Sequence, residues 1–218
     1  MAYAMIGTFT MLSSFLNCEH AMYRRYIKKD QPYVESKEMA WGNAVHSAFE
    51  HRIGAQKPLP DGMRQWECFA APFDGKLPQV EQKLGITRTR KATGFWDKDV
   101  WFRCKIDVNV CAADTAFIGD FKTGGSKYED PFELEIGALL LKAKRPAITR
   151  AAGSYIWLKE NRMGQCYDLS DFDGTWNRIK DLMSQIEARK PEEFVKNKSG
   201  LCGWCSCKDC ENHYVARK

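Results

Sequence analysis

Residues 100–110 carry the most regular pattern in the chain. Apolar side chains occupy every second position from Val100 to Val110, and tryptophan, arginine, lysine, aspartate and asparagine stand between them. Successive side chains point to opposite faces of a β-strand, so this alternation predicts a long strand over 99–110 with one apolar and one polar face. Asp107 lies on the polar face of that predicted strand.

The segment IGDFKTGG at 118–125 predicts the next strand. Asp120 and Lys122 are two positions apart and therefore share a face. The spacing from Asp107 suits a hairpin, which would bring two carboxylates and one ammonium group to a single point. Carboxylates at close range repel, and a divalent cation between them removes that repulsion. The alternative is a surface ion pair of Asp120 with Lys122 and an unrelated strand-end acid at Asp107.

Other patterns complete an α/β order of elements. Apolar periodicity and boundary signals predict helices at 8–29, 38–53, 131–144 and 173–189, and strands at 79–87 and 152–159. This order predicts an α/β fold with a mixed central sheet flanked by helices. A length of 218 residues suits a single domain. We expect it to consist of an N-terminal helical segment at 1–37, a core at 38–190 and a cysteine-rich tail at 191–218.

One stripe of the predicted 38–53 helix carries a candidate metal ligand. Gly42, His46 and Glu50 follow one another at four-residue spacing, so they lie on the same side of the helix. A lone histidine next to an apolar residue such as Val45 is often a core side chain with a satisfied hydrogen bond, and this alternative stays open. The glycine favours a site, because it lets another backbone approach closely. Glu81, on the predicted 79–87 strand, is a further candidate acid.

This ordered set of residues resembles the RecB-like branch of the PD-(D/E)XK nucleases, especially the small CRISPR-associated and phage-encoded exonucleases. The resemblance implies a restriction-endonuclease-like core. It implies that His46, Asp107 and Asp120 bind a catalytic Mg²⁺ or Mn²⁺. It further implies that Lys122 positions and polarises the attacking water, with Glu81 as an accessory acid at the metal.

The chain departs from this family after the D-x-K strand. The family usually follows that strand with a helix bearing Q-x3-Y. Here the predicted helix offers Glu133 and Glu135, with neither glutamine nor tyrosine. Tyr155 lies on the following strand and is not an obvious replacement. The departure removes no metal ligand, but it weakens any inference about how that helix holds substrate.

Four cysteines crowd the C-terminal tail, at Cys202, Cys205, Cys207 and Cys210. In a reducing compartment such a cluster indicates metal rather than disulfides. Zinc could take all four thiolates, although the crowding strains a tetrahedron, or three tail cysteines could join a distant one. The resemblance extends to iron–sulfur RecB-like nucleases, which combine one N-terminal cysteine with three C-terminal ones. It implies that Cys18, Cys202, Cys205 and Cys210 hold a [4Fe–4S] cluster, with Cys207 spare and zinc as the alternative.

The charge pattern is compatible with an anionic partner. The net charge is +5 and the pI is about 8.7. Local clusters of basic residues supply the candidates for DNA contact, which are Arg24, Arg25, Arg88, Arg90 and Lys91. The sequence contains no base-reading motif, so binding should not depend on DNA sequence. It also has no apolar run long enough for a bilayer and no basic-led signal segment, which favours a cytoplasmic location without membrane contact.

These observations lead to one main hypothesis and two alternatives. The main hypothesis is a Mg²⁺- or Mn²⁺-dependent exonuclease that hydrolyses single-stranded or end-bearing DNA in recombination, repair or phage DNA processing. Recombination or replication proteins would be its protein partners. The first alternative is a non-catalytic DNA-binding or recombination-complex protein on a nuclease scaffold. The second is an interaction module held together by zinc.

Overall fold

The computed structural model describes residues 5–31, 34–127 and 129–214. The chain divides into two compact units. The first, here called the core unit, is Glu35–Trp176, and the second, the terminal unit, combines Met1–Val34 with Asn177–Lys218. The expected single domain with inner boundaries at 37 and 190 stays a prediction.

A mixed sheet forms the centre of the core unit. Its strands are β1 (Gln79–Ile86), β2 (Ala92–Thr93), β3 (Phe102–Ala112), β4 (Thr115–Lys122), β5 (Arg150–Trp157), β6 (Arg162–Met163) and β7 (Tyr167–Asp168). Their order is β2-β1-β3-β4-β5-β6, with β7 also paired to β5. The β1–β3 and β3–β4 pairs are antiparallel, whereas β4 and β5 are parallel. The mixed α/β architecture predicted from the sequence is confirmed.

The helices of the described residues are α1 (Phe9–Asn17), α2 (Glu19–Met22), α3 (Lys37–Ala55), α4 (Glu67–Ala70), α5 (Phe132–Lys144) and α6 (Phe172–Ala188). Helix α3 begins where the Ser36 side chain accepts a hydrogen bond from the Met39 amide. At the start of α5, the Asp130 carboxylate accepts a hydrogen bond from the Phe132 amide. Such capping satisfies amides that lack a partner within the helix. None of these helices is both long enough and apolar enough to cross a bilayer.

The continuous helix predicted over 8–29 was wrong. Cys18 is extended, with φ −161° and ψ 104°, so α1 ends at Asn17 and α2 begins at Glu19. A π-helical turn, Tyr23–Ile27, continues α2. The apolar periodicity of this segment survives such a break, which explains why the pattern alone did not show it.

Helices α3 and α5 cover opposite faces of the sheet. On one face, Phe49 of α3 stacks on Phe121 of β4 with ring centroids 4.0 Å apart, in a cluster that includes Val108. On the other face, Gly137 of α5 lies against Ile106 and Ile118. Eight of the thirteen residues of α5 are buried, as expected for a helix that crosses over between two parallel strands of a covered sheet.

The single alternation predicted for β3 was also wrong, because the strand changes faces at Asp107. Val108 packs on the α3 side, whereas Ile106 packs against α5, although residues two apart normally share a face. β1 changes faces in the same place. Val80 meets Gly54 of α3, and Gln82, the partner of Ile106, accepts a hydrogen bond from buried Asn109. The apolar side chains of β3 before Asp107 therefore pack against α5, whereas those after Asp107 pack on the α3 side.

The terminal unit joins the beginning of the chain to its end. Arg189 makes an ion pair with Glu19, and the Tyr23 ring stacks on Phe194 with centroids 4.8 Å apart. The Asn197 side chain donates to the Asn17 carbonyl at 2.9 Å. These contacts bring the segment that precedes Cys202 against the α1–α2 junction.

The β4–β5 pairing gives a direct test of this packing. A Cβ at Gly153 would lie 2.8 Å from the Ile118 carbonyl oxygen, a backbone atom that cannot move without disturbing the parallel ladder. Gly153→Ala should therefore lower the free energy of unfolding by about 1–3 kcal/mol. The measurement is denaturant unfolding followed by circular dichroism. Gly62→Ala is the matched control, since a Cβ there would meet nothing within 4 Å; equal stability of the two variants would contradict the proposed packing.

Candidate functional site

Three side chains of the core unit converge between α3 and the sheet. His46 Nδ1 lies 3.2 Å from Asp107 Oδ1 and 3.8 Å from Glu81 Oε1. One potential ligand atom from each residue falls within 4.8 Å of the others, and the described residues contain no second such group of three. All three side chains are partly buried, which limits how much water can screen their charges.

The backbone at Glu81 explains how two strand residues can point at one helix. The β1–β3 ladder pairs Val80 with Val108 and Gln82 with Ile106 but omits Glu81 and Asp107. Glu81 has φ 49°, a left-handed conformation that is unfavourable for a residue with a side chain. It falls at the point where both strands change faces, so the strain directs the Glu81 carboxylate toward His46.

Asp107 also closes the gap that opens between β3 and β4. Those strands pair from Ala112–Thr115 to Val108–Gly119 and no further. Beyond that point the amide of Phe121 donates to Asp107 Oδ2 at 2.9 Å. Burial favours the neutral acid, but the hydrogen bond and charge of His46 outweigh it, and the pKa of Asp107 is lowered. Asp107 is therefore held as a carboxylate with a fixed orientation.

His46 is protonated at neutral pH in this arrangement. Burial favours the neutral ring, yet the nearby carboxylates of Asp107 and Glu81 overcome it and raise the pKa of His46 to about 10. The imidazolium thus occupies the place of a cation between two carboxylates. A divalent ion bound by the same three residues would take over this electrostatic role and require the neutral ring.

Asp120 lies beside this group and outside it. Its Oδ2 is 3.0 Å from Lys122 Nζ, while its Oδ1 is buried and has no hydrogen-bond partner. Burial raises the pKa of Asp120 well above its usual value against the attraction of Lys122, and the negative charges of Glu133 and Asp107 raise it further. A buried carboxylate oxygen without a partner is costly, and a cation is one group that would satisfy it.

Lys122 is enclosed by groups from three elements. Its Nζ lies 2.6 Å from Glu133 Oε2 of α5 and 5.3 Å from the centre of the Tyr155 ring of β5, in addition to its contact with Asp120. Burial would lower the pKa of Lys122, but the two carboxylates outweigh it and raise the pKa. The lysine is therefore a permanent positive charge in a fixed position.

Glu133 and Tyr155 had no role in the sequence-based hypothesis, although both reach this site. Glu133 occupies the first turn of α5, the helix that follows the D-x-K strand, and that position was the available signal. Tyr155 pairs with Asp120 in the parallel register, so the two side chains share a face. Its hydroxyl donates to the Asp130 carbonyl at 2.7 Å and holds the ring in place. Only the register of β4 and β5 could reveal this neighbour.

The predicted cysteine ligands all belong to the terminal unit. Cys18 occupies the extended break between α1 and α2. Cys202 Sγ lies 3.8 Å from the carbonyl oxygen of Asn197, and the side chain of Asn197 donates a hydrogen bond to the carbonyl of Asn17. The Cys207 amide donates to Cys205 Sγ at 3.5 Å, and Cys207 is the buried member of the tail set. Among described residues no three of these sulfurs come within 4.8 Å of one another.

The predicted DNA contacts differ in availability. Arg24 is already paired with Asp30 at 2.7 Å and with Asp209 at 3.0 Å, and Arg90 is paired with Asp173. The Arg88 guanidinium lies 5.3 Å from the centre of the Trp101 ring. The Arg25 guanidinium lies 5.4 Å from the Tyr26 ring. Lys91 is exposed at the beginning of the segment that leads into β2.

Comparison with known proteins shows similarity of fold. No protein-family profile matches the chain, and no curated protein matches its sequence. A solved structure from Eubacterium rectale, provisionally named an exonuclease, matches with a TM-score of 0.52 and 13% identity over 98% of this chain and 90% of that one. The crystal structure of SSO0001 matches with a TM-score of 0.46 and 12% identity over 94% of this chain and 86% of that one, which is too weak to support an argument. The chain therefore shares a mixed α/β fold with a protein that bears an exonuclease name.

Metal binding at the three-residue group should release a proton from His46. The pKa of about 10 keeps the imidazole ring charged until the pH rises through that value. An imidazole must lose this proton before its nitrogen can bind a metal ion. The apparent affinity for Mn²⁺ should thus rise by up to about tenfold per pH unit between about pH 7 and 9. Isothermal titration calorimetry in buffers of different ionisation enthalpy measures the proton release. It should disappear in His46→Ala and persist in His51→Ala, an exposed histidine of the same helix; a pH-independent affinity would contradict the assignment.

Proposed function

We propose that the chain is a metal-dependent deoxyribonuclease that hydrolyses phosphodiester bonds at single-stranded or end-bearing DNA. The observation that carries the proposal is the unpartnered, buried Oδ1 of Asp120 beside the His46–Glu81–Asp107 group and the fixed charge of Lys122. An acidic cluster alone would be ordinary. A cluster combined with an unsatisfied carboxylate oxygen and a half-buried, paired lysine has the composition of a phosphoryl-transfer site.

The donor set fits a hard divalent cation. Carboxylate oxygens with one imidazole suit Mg²⁺ or Mn²⁺. His46, Glu81 and Asp107 would hold the ion together with Asp120, whose free oxygen is otherwise unexplained. When bound, such an ion supplies a Lewis acid that stabilises negative charge on the phosphoryl group and the leaving oxygen.

Lys122 supplies the second positive charge of the proposed site. Asp120 and Glu133 accept from its Nζ and hold it in place, and the Tyr155 ring excludes water from one side. A charge that is already oriented costs no reorganisation when negative charge develops on the phosphate oxygens. Lys122 would therefore orient the water nucleophile and stabilise the transition state, with Glu133 as its positioning residue.

The family and the setting form part of the same proposal. The fold similarity and the ordered residues support a PD-(D/E)XK core of the RecB-like type. The proposed setting is the cytoplasm, where unpaired cysteines stay reduced, with a role in recombination, repair or phage DNA processing. Recombination or replication proteins are the proposed partners.

The terminal unit is proposed to hold a [4Fe–4S] cluster through Cys18, Cys202, Cys205 and Cys210. Its support is the contact between the segment preceding Cys202 and the α1–α2 junction at Cys18. Cys207 is buried and would remain outside the ligand set. Four thiolates are the usual ligands of such a cluster, and its binding energy would stabilise this small, loop-rich unit.

Two substitutions test the proposed hydrolysis. Asp120→Asn preserves volume and removes the proposed ligand charge, and Lys122→Ala removes the fixed cation. Each should reduce digestion of end-labelled single-stranded DNA with Mg²⁺ or Mn²⁺ by at least about a hundredfold, with little loss of DNA binding. The controls are Asp61→Asn and Lys159→Ala at exposed positions, which should digest at the wild-type rate.

The same assay separates the proposal from its alternative. Digestion at the wild-type rate by Asp120→Asn would refute the assignment of the site. A wild-type protein that binds DNA but digests none with any divalent ion would support the non-catalytic alternative. Thermal melting of each variant shows whether a loss of activity reflects a loss of folding.

Anaerobic purification tests the cluster. The wild-type protein should show broad visible absorbance and contain about four iron atoms per chain. Cys18→Ser and Cys202→Ser should lose most of this absorbance, whereas Cys207→Ser and Cys68→Ser should keep it. A colourless protein that contains stoichiometric zinc would establish the alternative metal.

A further inference from the structure

Two lysines face each other across the β1–β3 pair, next to the metal-ligand group. Lys83 pairs with Lys105 in the antiparallel register, and Arg103 lies two residues before Lys105 on β3, on the same face. Like charges directly opposite each other destabilise a sheet. The ion pair of Lys105 with Glu81 offsets part of this cost, and a bound anion would remove the rest.

These side chains share the face of the sheet that α3 covers elsewhere. Cys104 and Ile106 are directed toward α5. Gly137 of that helix lies against Ile106, and the pKa of the Cys104 thiol is raised by burial and by the charge of Glu133 on the same helix. The alternate residues Arg103 and Lys105 must point the other way. Lys105 also makes an ion pair with Glu81, so this row of positive charge begins at the metal-ligand group itself.

An aromatic platform stands at the far end of the row. The Arg103 guanidinium lies 4.6 Å from the centres of both the Phe95 and Trp96 rings. Trp96 is 73% exposed, although it is one of the largest apolar side chains in the protein. Arg103 Nε is buried with no hydrogen-bond partner. An exposed tryptophan held against a guanidinium is a surface on which a flat, uncharged ring can stack.

Two acids of the same loop, Asp97 and Asp99, make hydrogen bonds within the loop. The Thr93 hydroxyl lies within hydrogen-bond distance of both Asp97 Oδ2 and Asp99 Oδ1 and can donate to either, and the Gly94 amide donates to Asp97 Oδ2. These carboxylates therefore brace the loop that presents Trp96.

We propose that Lys83, Lys105, Arg103 and Trp96, here called the β1–β3 track, bind the single-stranded segment of DNA next to the cleavage site. The proposal rests on the proposed function and specifies where its substrate lies. The lysine pair and Arg103 contact successive phosphates, and Trp96 stacks on one unpaired base. Arg103 and Lys105 are two residues apart, a separation of about 6.8 Å along a strand, which is close to the step of one extended nucleotide.

The combination selects a single strand over a duplex. Phosphate contacts alone would serve either form of DNA. Stacking on Trp96 requires a base whose face is exposed, and in a duplex those faces are covered by neighbouring base pairs. The track offers no group that distinguishes one base from another, so binding should not depend on sequence.

Binding of a fluorescent oligo-dT to the full chain in EDTA tests the track without hydrolysis. The double substitution Lys83→Gln plus Lys105→Gln should reduce the slope of log affinity against log salt by about 1.4, since each neutralised phosphate of a single strand contributes about 0.7. Its melting temperature is measured alongside, because Lys105→Gln removes both the repulsion from Lys83 and the ion pair with Glu81. Trp96→Ala should weaken binding of oligo-dT by about tenfold or more, and Trp96→Phe should restore part of it.

Two comparisons make the outcome decisive. The control pair Lys144→Gln plus Lys159→Gln removes the same charge from exposed positions outside the track and should leave the salt slope nearly unchanged. Trp96→Ala should leave binding to a blunt duplex unaffected. An unchanged salt slope in the track variant, or an equal loss for duplex and single strand in Trp96→Ala, would overturn the proposal. Because binding is measured without divalent ions, this result is independent of whether Asp120→Asn abolishes digestion.

Discussion

The interruption of the β1–β3 ladder at Glu81 and Asp107 organises the core unit. Both strands change faces there, so residues on either side of the interruption pack against different helices. The left-handed backbone at Glu81 costs on the order of 1–2 kcal/mol for a residue with a Cβ. It is held by the contacts of the Glu81 carboxylate with His46 and Lys105. An uninterrupted pair of strands would place the Glu81 and Asp107 side chains in the regular alternation and would not turn both toward α3.

A second constraint is the charge balance around Lys122. A lysine in a poorly solvated position must be paired, and Asp120 and Glu133 supply two carboxylates from a strand and a helix. The balance is nevertheless incomplete, because Asp120 Oδ1 has no partner. Stability alone would favour a satisfied oxygen. The structure keeps one unsatisfied oxygen next to His46, Glu81 and Asp107, whose ligand atoms lie close enough together to hold a metal ion, and this is the arrangement expected where a ligand completes the site.

The terminal unit depends on contacts between distant parts of the chain. Its helices α1 and α2 are short and its last described residues form turns, but the part of α6 from Asn177 onward supplies buried Ile179, Leu182, Met183 and Ile186. Glu19 and Asn17 meet Arg189 and Asn197 through polar contacts. Such contacts at the surface contribute modestly, and a metal centre that joins Cys18 to the tail would add the binding energy that a unit of this size lacks.

The sequence by itself determined the elements and most of the residue types of the site. Local periodicity and capping signals depend on neighbouring residues, which is why α3, α5, β1 and β5 could be predicted with nearly correct bounds. Tertiary structure decided the rest. The face change at Asp107 arises from packing between two strands and two helices, and a period-two pattern continues through it unchanged. The approach of Glu133 and Tyr155 to Lys122 depends on the β4–β5 register and on the crossover of α5, and the opposition of Lys83 to Lys105 depends on the β1–β3 register. Strand register is set by long-range pairing, so a single sequence identifies which side chains are available, and only the folded chain determines which of them meet.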